Sequence, residues 1–490
     1  MAGATAGRCG PTLLPYRWRD GMGFTRAHER SEEVAMSRTR RVIIRRCETY
    51  DPIRMESIIR DGMAELQATP RGRIFIKPNV VTANRNYIHH SYTHPVLVET
   101  MVRVLRNVSP EQPITIGESG GIGLPTRLFF HDSGYAAMAK RTNVRLVDLN
   151  EEQTVKTPLV KAKWHKTMAV AKSLHEAEYK IWMPKLKFHI VTQITHCLKL
   201  NIGILTHKER FLYHDDRLND KVVDMLEVGY PNLVVTDAIT CGRGFESSPI
   251  PFQLGAILMA NDPIAADMVA ARILGYEPHE VLHLAEAERR GYGSLRFDEI
   301  EVSGDIAIEA LRERTKDLDS PFQDLQKLDS PIRFYEGVNP ATGQNCYGGC
   351  ICSVKGTLGS ADRRYAGNLV NARRGAIVMG AYDGDVMHPG EPVVLVGDCT
   401  RVSGKLEAVK VIRYAGCPPK VATLMTRMLR HFGMRSPAWE PVNLIKVVFF
   451  SLLKAFMRVT IPLRRRARVS YPSAQKAYSQ SARRSVPAPR

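Results

Sequence analysis

Five of the nine cysteines of this chain lie close together in sequence, in the motifs NCYGGCIC, VGDC and AGCPP. The five are Cys346, Cys350, Cys352, Cys399 and Cys417. Several thiolates that converge from a glycine-rich loop and from strand ends are typical ligands of iron–sulfur clusters. The pattern therefore predicts a metal centre, with a [4Fe-4S] cluster as the favoured cofactor.

Five cysteines exceed the four positions around such a cluster, so one of them is surplus. Cys346 with either Cys350 or Cys352 would form the loop pair, and Cys399 with Cys417 the pair from strand ends. Zinc, which accepts four thiolates in tetrahedral geometry, is the rival metal. Buried, unreactive cysteines without a metal are the remaining interpretation.

A second set of chemically capable residues occurs earlier, in MPKLKFH and just after it. Lys185 and Lys187 concentrate positive charge beside His189, and Lys199 follows. Such a cluster suits a phosphate or carboxylate group, and a histidine can move protons near neutral pH. We predict catalytic roles for His189, Lys199 and Lys187 in a crevice that binds an anion. A hydrogen-bonded structural histidine and solvated lysines are the alternatives.

Other polar residues follow apolar, strand-like runs. The predicted ligand-binding or cofactor-binding residues are Lys77, Asn79, Glu118, Lys185, Thr195, Asn201 and Asp237. The segment THKERFLYHDD carries His207, His214, Asp215 and Asp216. We expect it to form a polar loop rather than a site for a hard metal ion. Asp262 and Thr93, each shortly before a proline, are predicted to cap helices.

The elements that must position these residues alternate between strand and helix. GRIFIKPNV, PITIGESGG and PNLVVTDAIT are typical of buried strands, whereas PVLVETMVRVLRNV and PIAADMVAARILG have helical periodicity. This alternation predicts an α/β fold of two layered units with mostly parallel sheets, the second unit being smaller and cluster-binding. Ligands of such sheets gather at the carboxyl ends of the strands.

Composition divides the chain further. We expect a disordered tail over 1–36, an α/β ligand-binding domain over 37–302, a connector over 303–340, an α/β cysteine-rich domain over 341–435, a basic amphipathic helix over 440–466 and a disordered tail over 467–490.

The formal net charge of +19 is concentrated towards the two ends and calls for an anionic partner. NLIKVVFFSLLKAFMRV, followed by an arginine run, predicts a helix at an anionic membrane surface, with packing on the second unit as the alternative. Nucleic acid is disfavoured because interleaved aromatic residues are missing from the basic ends. With no secretory signal and no apolar run of membrane-spanning length, we expect a cytoplasmic protein, peripheral at the inner face of the membrane.

The segment from about 41 to 300 resembles the prokaryotic family known as domain of unknown function 362. The motifs IKPNVV, THPVLVETMVRVL, IGES, VDL, MPKLKFHIVTQITHCLKLNIGIL, DAIT and ANDPIAADMVAARILG occur in order. The family's central motif, PK-x-K-x-H…T…KN-x-x-G, falls on Lys185, Lys187, His189, Thr195, Lys199, Asn201 and Gly203, with Leu200 inserted before Asn201. The resemblance implies an association with iron–sulfur modules.

The cysteines between about 346 and 420 are similar, at the level of motif, to the proximal-cluster cysteines of nickel–iron hydrogenase small subunits and the related complex I subunit. Together these features predict an iron–sulfur oxidoreductase that acts on an anionic small molecule or a bound cofactor. An electron-transfer protein without chemistry of its own and a metal-dependent lyase or isomerase are the alternatives. No flavin or nucleotide fingerprint is visible, because GESGGIG alone is too weak.

Overall fold

Alternating strands and helices build two mostly parallel sheets in the computed structural model of this protein, which describes residues 39–121, 124–318 and 325–460. The side chains of residues 458–460 fall outside that description. The predicted α/β fold class is confirmed. The tails predicted over 1–36 and 467–490 lie outside the described residues.

The described strands are β1 (Arg40–Arg46), β2 (Ile74–Pro78), β3 (Ile114–Glu118), β4 (Arg145–Asp148), β5 (Thr154–Pro158), β6 (Thr167–Ala171), β7 (Tyr179–Met183), β8 (Lys185–His189), β9 (Gln193–Thr195), β10 (Leu233–Arg243), β11 (Ile250–Ala260), β12 (Ile300–Gly304), β13 (Ile332–Glu336), β14 (Gly375–Tyr382), β15 (Val386–Val402) and β16 (Leu406–Tyr414).

The described α-helices are α1 (Pro52–Glu65), α2 (Pro95–Val108), α3 (Thr126–Asp132), α4 (Tyr135–Thr142), α5 (Lys172–His175), α6 (Cys197–Leu200), α7 (His207–Phe211), α8 (Leu218–Asp224), α9 (Pro263–Leu274), α10 (Leu282–Arg289), α11 (Ile308–Glu313), α12 (Cys352–Arg364), α13 (Val421–Thr423) and α14 (Pro441–Thr460).

The larger sheet has the strand order β12-β1-β11-β10-β7-β2-β3-β4. Strands β10, β7, β2, β3 and β4 run parallel, so their carboxyl ends meet at one edge. Strand β8 continues β7 beyond Pro184 and pairs with β10, which sets Lys185 beside Asp237. The register of these strands therefore brings the predicted polar residues to a common edge.

Both faces of the larger sheet are covered, which explains why its strands are apolar almost throughout. In β1, Val42 and Ile44 point into one core and Ile43 into the other, following the two-residue period of a strand. Helix α9 packs on the first of these cores, and helices α1 and α2 pack on the second.

The two predicted helix caps have different outcomes. Asp262 caps α9, because its carboxylate accepts from the backbone N–H of Ala265 at 2.7 Å. The predicted cap of α2 is wrong: the Thr93 hydroxyl donates to the Met183 carbonyl at 2.6 Å, and His94 is the capping residue. The Thr93 hydroxyl instead links the start of α2 to the end of β7, two elements that are distant in sequence.

The smaller sheet has the order β13-β14-β15-β16, and every pairing in it is parallel. Its own core includes Val354 and Leu358 of α12, packed against Ile377 and Val394. Strand β12, which ends just inside the segment predicted as a connector, pairs with the larger sheet, and β13 within that segment pairs with the smaller one. The segment thus connects the larger sheet to the smaller one.

Candidate functional site

The edge shared by β2 and β3 holds a buried ion pair. Lys77 Nζ lies 2.6 Å from Glu118 Oε2, and both side chains are almost completely inaccessible to solvent. Glu118 also accepts from the backbone N–H groups of Val80 (2.9 Å) and Ser119 (2.8 Å). Burial lowers the pKa of Lys77 and raises that of Glu118. These two predicted ligand-binding residues are therefore brought together, and they bind each other.

Gly203 closes over this pair at the end of the central motif. A Cβ placed there would lie 2.2 Å from Glu118 Oε1 and 2.6 Å from Lys77 Nζ. The backbone of the motif can approach the ion pair this closely only because the residue has no side chain.

A second buried cluster forms where β8 meets β10. Lys185 Nζ lies 2.9 Å from Asp237 Oδ2 and donates to the Tyr50 hydroxyl at 2.8 Å. Tyr50 in turn donates to Asp237 Oδ1 at 2.9 Å, and its ring stacks on His94 at 3.9 Å between centroids. Burial and the adjacent Asp237 raise the pKa of Tyr50. Lys185 and Asp237 are thus partners, held by two aromatic residues that the sequence analysis did not select.

Lys187 and His189 of β8 point the same way as Lys185, since alternate residues of a strand share a face. Lys187 is fully buried, and its ammonium donates to the carbonyls of Ser91 (2.6 Å) and Glu246 (3.0 Å). Burial lowers its pKa to about 7. A lysine with such a pKa can exchange a proton at neutral pH.

His189 faces the same space with a defined tautomer. Its Nδ1 accepts from the backbone N–H groups of Val191 (3.0 Å) and Thr192 (3.2 Å), which leaves the proton on Nε2. That nitrogen lies 3.7 Å from the Glu246 carboxylate. Burial, aided by the charge of Lys199, lowers the pKa of His189. His189 is therefore neutral in this environment and aims an N–H at a buried acid.

Three polar groups around this space are left without a bonded partner in the described part of the chain. Glu246 Oε2 and Thr195 Oγ1 are buried without a hydrogen bond. The Lys199 ammonium feels the charge of Glu246 but forms neither an ion pair nor a hydrogen bond with any described residue. Burial of a polar group without a partner is costly, so Glu246 Oε2 and Thr195 Oγ1 mark where a ligand fits, next to the partly exposed Lys199.

Thr195 lies directly opposite Lys187 in the β8–β9 pairing. Asn79 joins the edge through its backbone, which bonds to Thr93 in both directions at 3.0 Å. Asn201 is occupied elsewhere, because its carbonyl oxygen accepts from the Trp182 indole at 2.7 Å. The structure therefore brings Thr195 and Asn79 to the edge of the sheet, whereas Asn201 binds a core tryptophan.

Sequence reasoning missed Glu246, Tyr50, His94 and His90. His90 has a positive φ of 60°, and burial together with the charge of Lys185 lowers its pKa to about 4. Its adjacency to His89 and closeness to His94 in sequence was a signal that could have drawn attention to this segment. Glu246 carries no such signal, because it follows β10 in an ordinary loop.

Four of the five clustered cysteines lie near enough to one another to affect the pKa of their thiols. The Cys350 thiol lies in hydrogen-bond range of Cys346, and the thiols of Cys346, Cys399 and Cys417 together with burial raise its pKa. The pKa of Cys417 is raised by burial and by Cys346 and Cys399. Cys346 and Cys350 of the loop are thus neighbours of Cys399 and Cys417, and their role as metal ligands stays a prediction.

Two glycines make room for the thiols of the loop pair. A Cβ at Gly349 would lie 2.5 Å from Cys346 Sγ, and one at Gly397 would lie 2.7 Å from Cys350 Sγ. Side chains at these positions would fill the space between the sulfurs and the backbone. In the motifs NCYGGC and VGDC, the backbone thus approaches two of the sulfurs closely, because glycine has no side chain. We call this arrangement the cysteine cradle.

Cys352 belongs to a different environment. It opens α12 after the π-helical turn Tyr347–Ile351, and its neighbours are Glu246 and Lys199. Burial and the Glu246 carboxylate raise its pKa to about 12. Because of this turn, Cys350 lies near the other thiols, whereas Cys352 lies near the lysine-rich crevice.

The loop 346–352 also packs directly on the larger sheet's side of the molecule. His214 Nδ1 lies 2.7 Å from the Gly348 carbonyl, and a Cβ at Gly348 would meet the Asp215 carbonyl at 2.1 Å. The thiols and the lysine-rich crevice are consequently separated by one turn of chain.

The THKERFLYHDD residues are spread over several partners rather than gathered on one centre. Asp215 pairs with Arg217, Asp216 accepts from Asn339 at 2.8 Å, and His207 bonds the Gly120 carbonyl at 3.2 Å. Across the described residues, no group of three or more His, Cys, Asp or Glu side chains is arranged to hold a single metal ion. The thiolates of a cluster bind separate irons, so they do not need to converge on one point.

The lysine-rich motif lies within a segment that matches a family model. Residues 74–272 match the model of the family described as Domain of unknown function (DUF362). No curated protein sequence matches the chain.

Two solved structures have a remote likeness to the chain. The lactate racemase apoprotein from Thermoanaerobacterium thermosaccharolyticum is 10% identical with a TM-score of 0.32, covering 70% of this chain and 69% of its own. A structural-genomics protein from Thermotoga maritima is 10% identical with a TM-score of 0.33, covering 67% and 70%.

Proposed function

We propose that this chain, whose residues 74–272 match the family Domain of unknown function (DUF362), is an iron–sulfur oxidoreductase for an anionic small molecule. The observation that carries the proposal is the position of Cys352. It lies two residues from Cys350, whose pKa three other thiols raise, and its own pKa responds to Lys199 and Glu246 of the crevice. A thiolate site and an anion site that adjoin each other support electron exchange between them.

The residues that would hold a cluster are Cys346, Cys350, Cys399 and Cys417. Their proximity in the cysteine cradle, at Gly349 and Gly397, fits a four-thiolate group. When bound, such a cluster supplies electrons one at a time. We propose an external one-electron carrier as the donor and the crevice ligand as the acceptor of two electrons and two protons.

Binding of the anion falls to the groups whose bonding capacity is unfilled. The Lys199 ammonium lacks an ion-pair partner among the described residues and can donate to a carboxylate or phosphate oxygen. Thr195 Oγ1 offers a hydroxyl from the neighbouring strand. Lys77 and Lys185 are already paired with carboxylates, so each pair carries no net charge and lines the crevice without binding the anion directly.

Proton movement falls to Lys187, His189 and Glu246. Burial lowers the pKa of Lys187 to about 7, so this lysine can change protonation state near neutral pH, and burial raises the pKa of Glu246. His189 Nε2 carries a proton 3.7 Å from Glu246. These three groups supply protons to a substrate that receives electrons.

The test is anaerobic purification of the full chain, with iron and sulfide analysis and visible absorption. We expect stoichiometric iron and sulfide with thiolate-to-iron absorption. Cys350→Ser should lose most of the iron, whereas the matched control Cys352→Ser should retain it. Zinc instead of iron, or equal loss in the two variants, would refute the assignment of the site.

Turnover is tested separately on the loaded protein. Chemically reduced protein is mixed with a panel of carboxylates and phosphate esters, and reoxidation is followed by absorption. We expect one class to reoxidise it in the wild type and Lys199→Ala to abolish this while keeping its iron. A loaded protein that no anion reoxidises, but that interconverts isomers of one, would support an isomerase and overturn the redox proposal.

A further inference from the structure

The C-terminal helix α14 has two faces of opposite character. One face is fastened to the larger sheet's side of the protein: Lys446 Nζ lies 2.8 Å from Asp132, and the Phe450 ring contacts His131 at 5.5 Å between centroids. Asn443 accepts from Asn84 at 3.0 Å on the same face. These contacts fix which side of the helix points outward.

The outward face carries a row of exposed apolar side chains from Val442 to Phe456. Its side chains are Val442 (56% exposed), Leu444 (45%), Ile445 (68%), Val448 (49%), Phe449 (59%), Leu452 (66%) and Phe456 (63%). They recur at spacings of three and four residues, which places them on one stripe opposite the fastened face. A continuous apolar stripe of this size on a surface marks an interaction site.

Two further features identify what this stripe meets. Trp439, which is 61% exposed, stands just before the helix, and indole rings favour the boundary between water and lipid. Residues 461–490, which follow the helix, contain eight Lys or Arg and no Asp or Glu. A second copy of this chain would bring two such positive segments together, whereas anionic lipid headgroups attract them.

No described helix is long and apolar enough to cross a membrane. From the apolar stripe, the exposed indole and the basic composition of residues 461–490, we infer that α14 lies flat on an anionic lipid surface with its stripe at the headgroup boundary. The fastened face keeps the rest of the protein on the water side. This inference is independent of the proposed redox function.

The experiment is co-sedimentation of the full chain with phosphatidylcholine vesicles with and without phosphatidylglycerol. We expect binding only to the anionic vesicles and its weakening by salt. Phe449→Ser/Leu452→Ser should weaken binding by about tenfold or more, since it removes apolar contact from the stripe. Because both residues are exposed, the variant should keep the thermal stability of the wild type.

The matched control is Val409→Ser, which removes a 69%-exposed apolar side chain from β16. It should bind vesicles as the wild type does. Equal binding to both vesicle types, or unchanged binding of the helix variant, would overturn the inference. So would a lipid-free dimer in sedimentation velocity that the helix variant dissociates, because a second copy would then cover the stripe.

Discussion

The buried pair of Lys77 and Glu118 allows a quantitative test of how the sheet edge is built. Replacing Lys77 by Met keeps most of the side-chain volume but removes the ammonium that lies 2.6 Å from the carboxylate. The Glu118 carboxylate then remains buried with only backbone N–H donors, those of Val80 and Ser119, as direct partners. The variant leaves an uncompensated charge in the core.

Breaking a buried pair by removing one partner costs about 3–5 kcal/mol. The free energy of unfolding of a typical domain is about 5–15 kcal/mol, so the loss should be plainly visible. In the double variant Lys77→Met/Glu118→Gln, neither side chain of the pair carries a charge. The amide oxygen at position 118 still accepts one of the two backbone N–H groups, and the other N–H is left without a partner. We therefore expect the double variant to lose about 1–3 kcal/mol of unfolding free energy.

The cost should also depend on pH. Burial raises the pKa of Glu118, and Lys77 supplies the largest opposing effect, so the pKa rises further in Lys77→Met. A group whose pKa is raised by folding contributes stability to the folded state at pH values below its pKa in the unfolded chain. This contribution is lost as pH rises through the pKa of the group in the folded state. The destabilisation by Lys77→Met should therefore be smaller near pH ~5 than near pH ~8.

Urea unfolding followed by circular dichroism, at both pH values, measures these differences for the wild type, the single variant and the double variant. The reasoning is refuted if Lys77→Met costs under ~1 kcal/mol, as an exposed pair would. It is also refuted if the double variant is less stable than the single one, because relief of the unpaired charge is the basis of the expectation.

Two further predictions concern stability. Since burial lowers the pKa of Lys187 to about 7, the unfolded chain binds a proton there that the folded one releases, and wild-type stability should rise relative to Lys187→Met between pH ~7 and ~9. Urea unfolding across that range checks this, and a flat difference would contradict it. Asp262→Ala should cost about 1–2 kcal/mol by removing the cap of α9, with Asp262→Asn costing less, since asparagine also caps. Equal losses in thermal unfolding of the two variants would show that the ion pair with Arg40, rather than the cap, holds this position.

The sequence by itself determined the fold class, the helix that begins after Asp262 and ends at Gly275, and the residues able to do chemistry. These follow from local signals: strand and helix periodicity, a capping side chain, and the spacing of cysteines and lysines. Such signals identify a residue's type and element, because they depend on neighbours within a turn or two of chain.

Only the tertiary structure decided which of these residues meet. Tyr50 reaches Asp237 across 187 positions of sequence, and Glu246 enters the crevice from a loop without any motif. The turn before α12 separates Cys350 from Cys352, although they are two residues apart. Strand register and loop packing set these contacts, and they are sums of many weak interactions between distant segments, which no local spacing encodes.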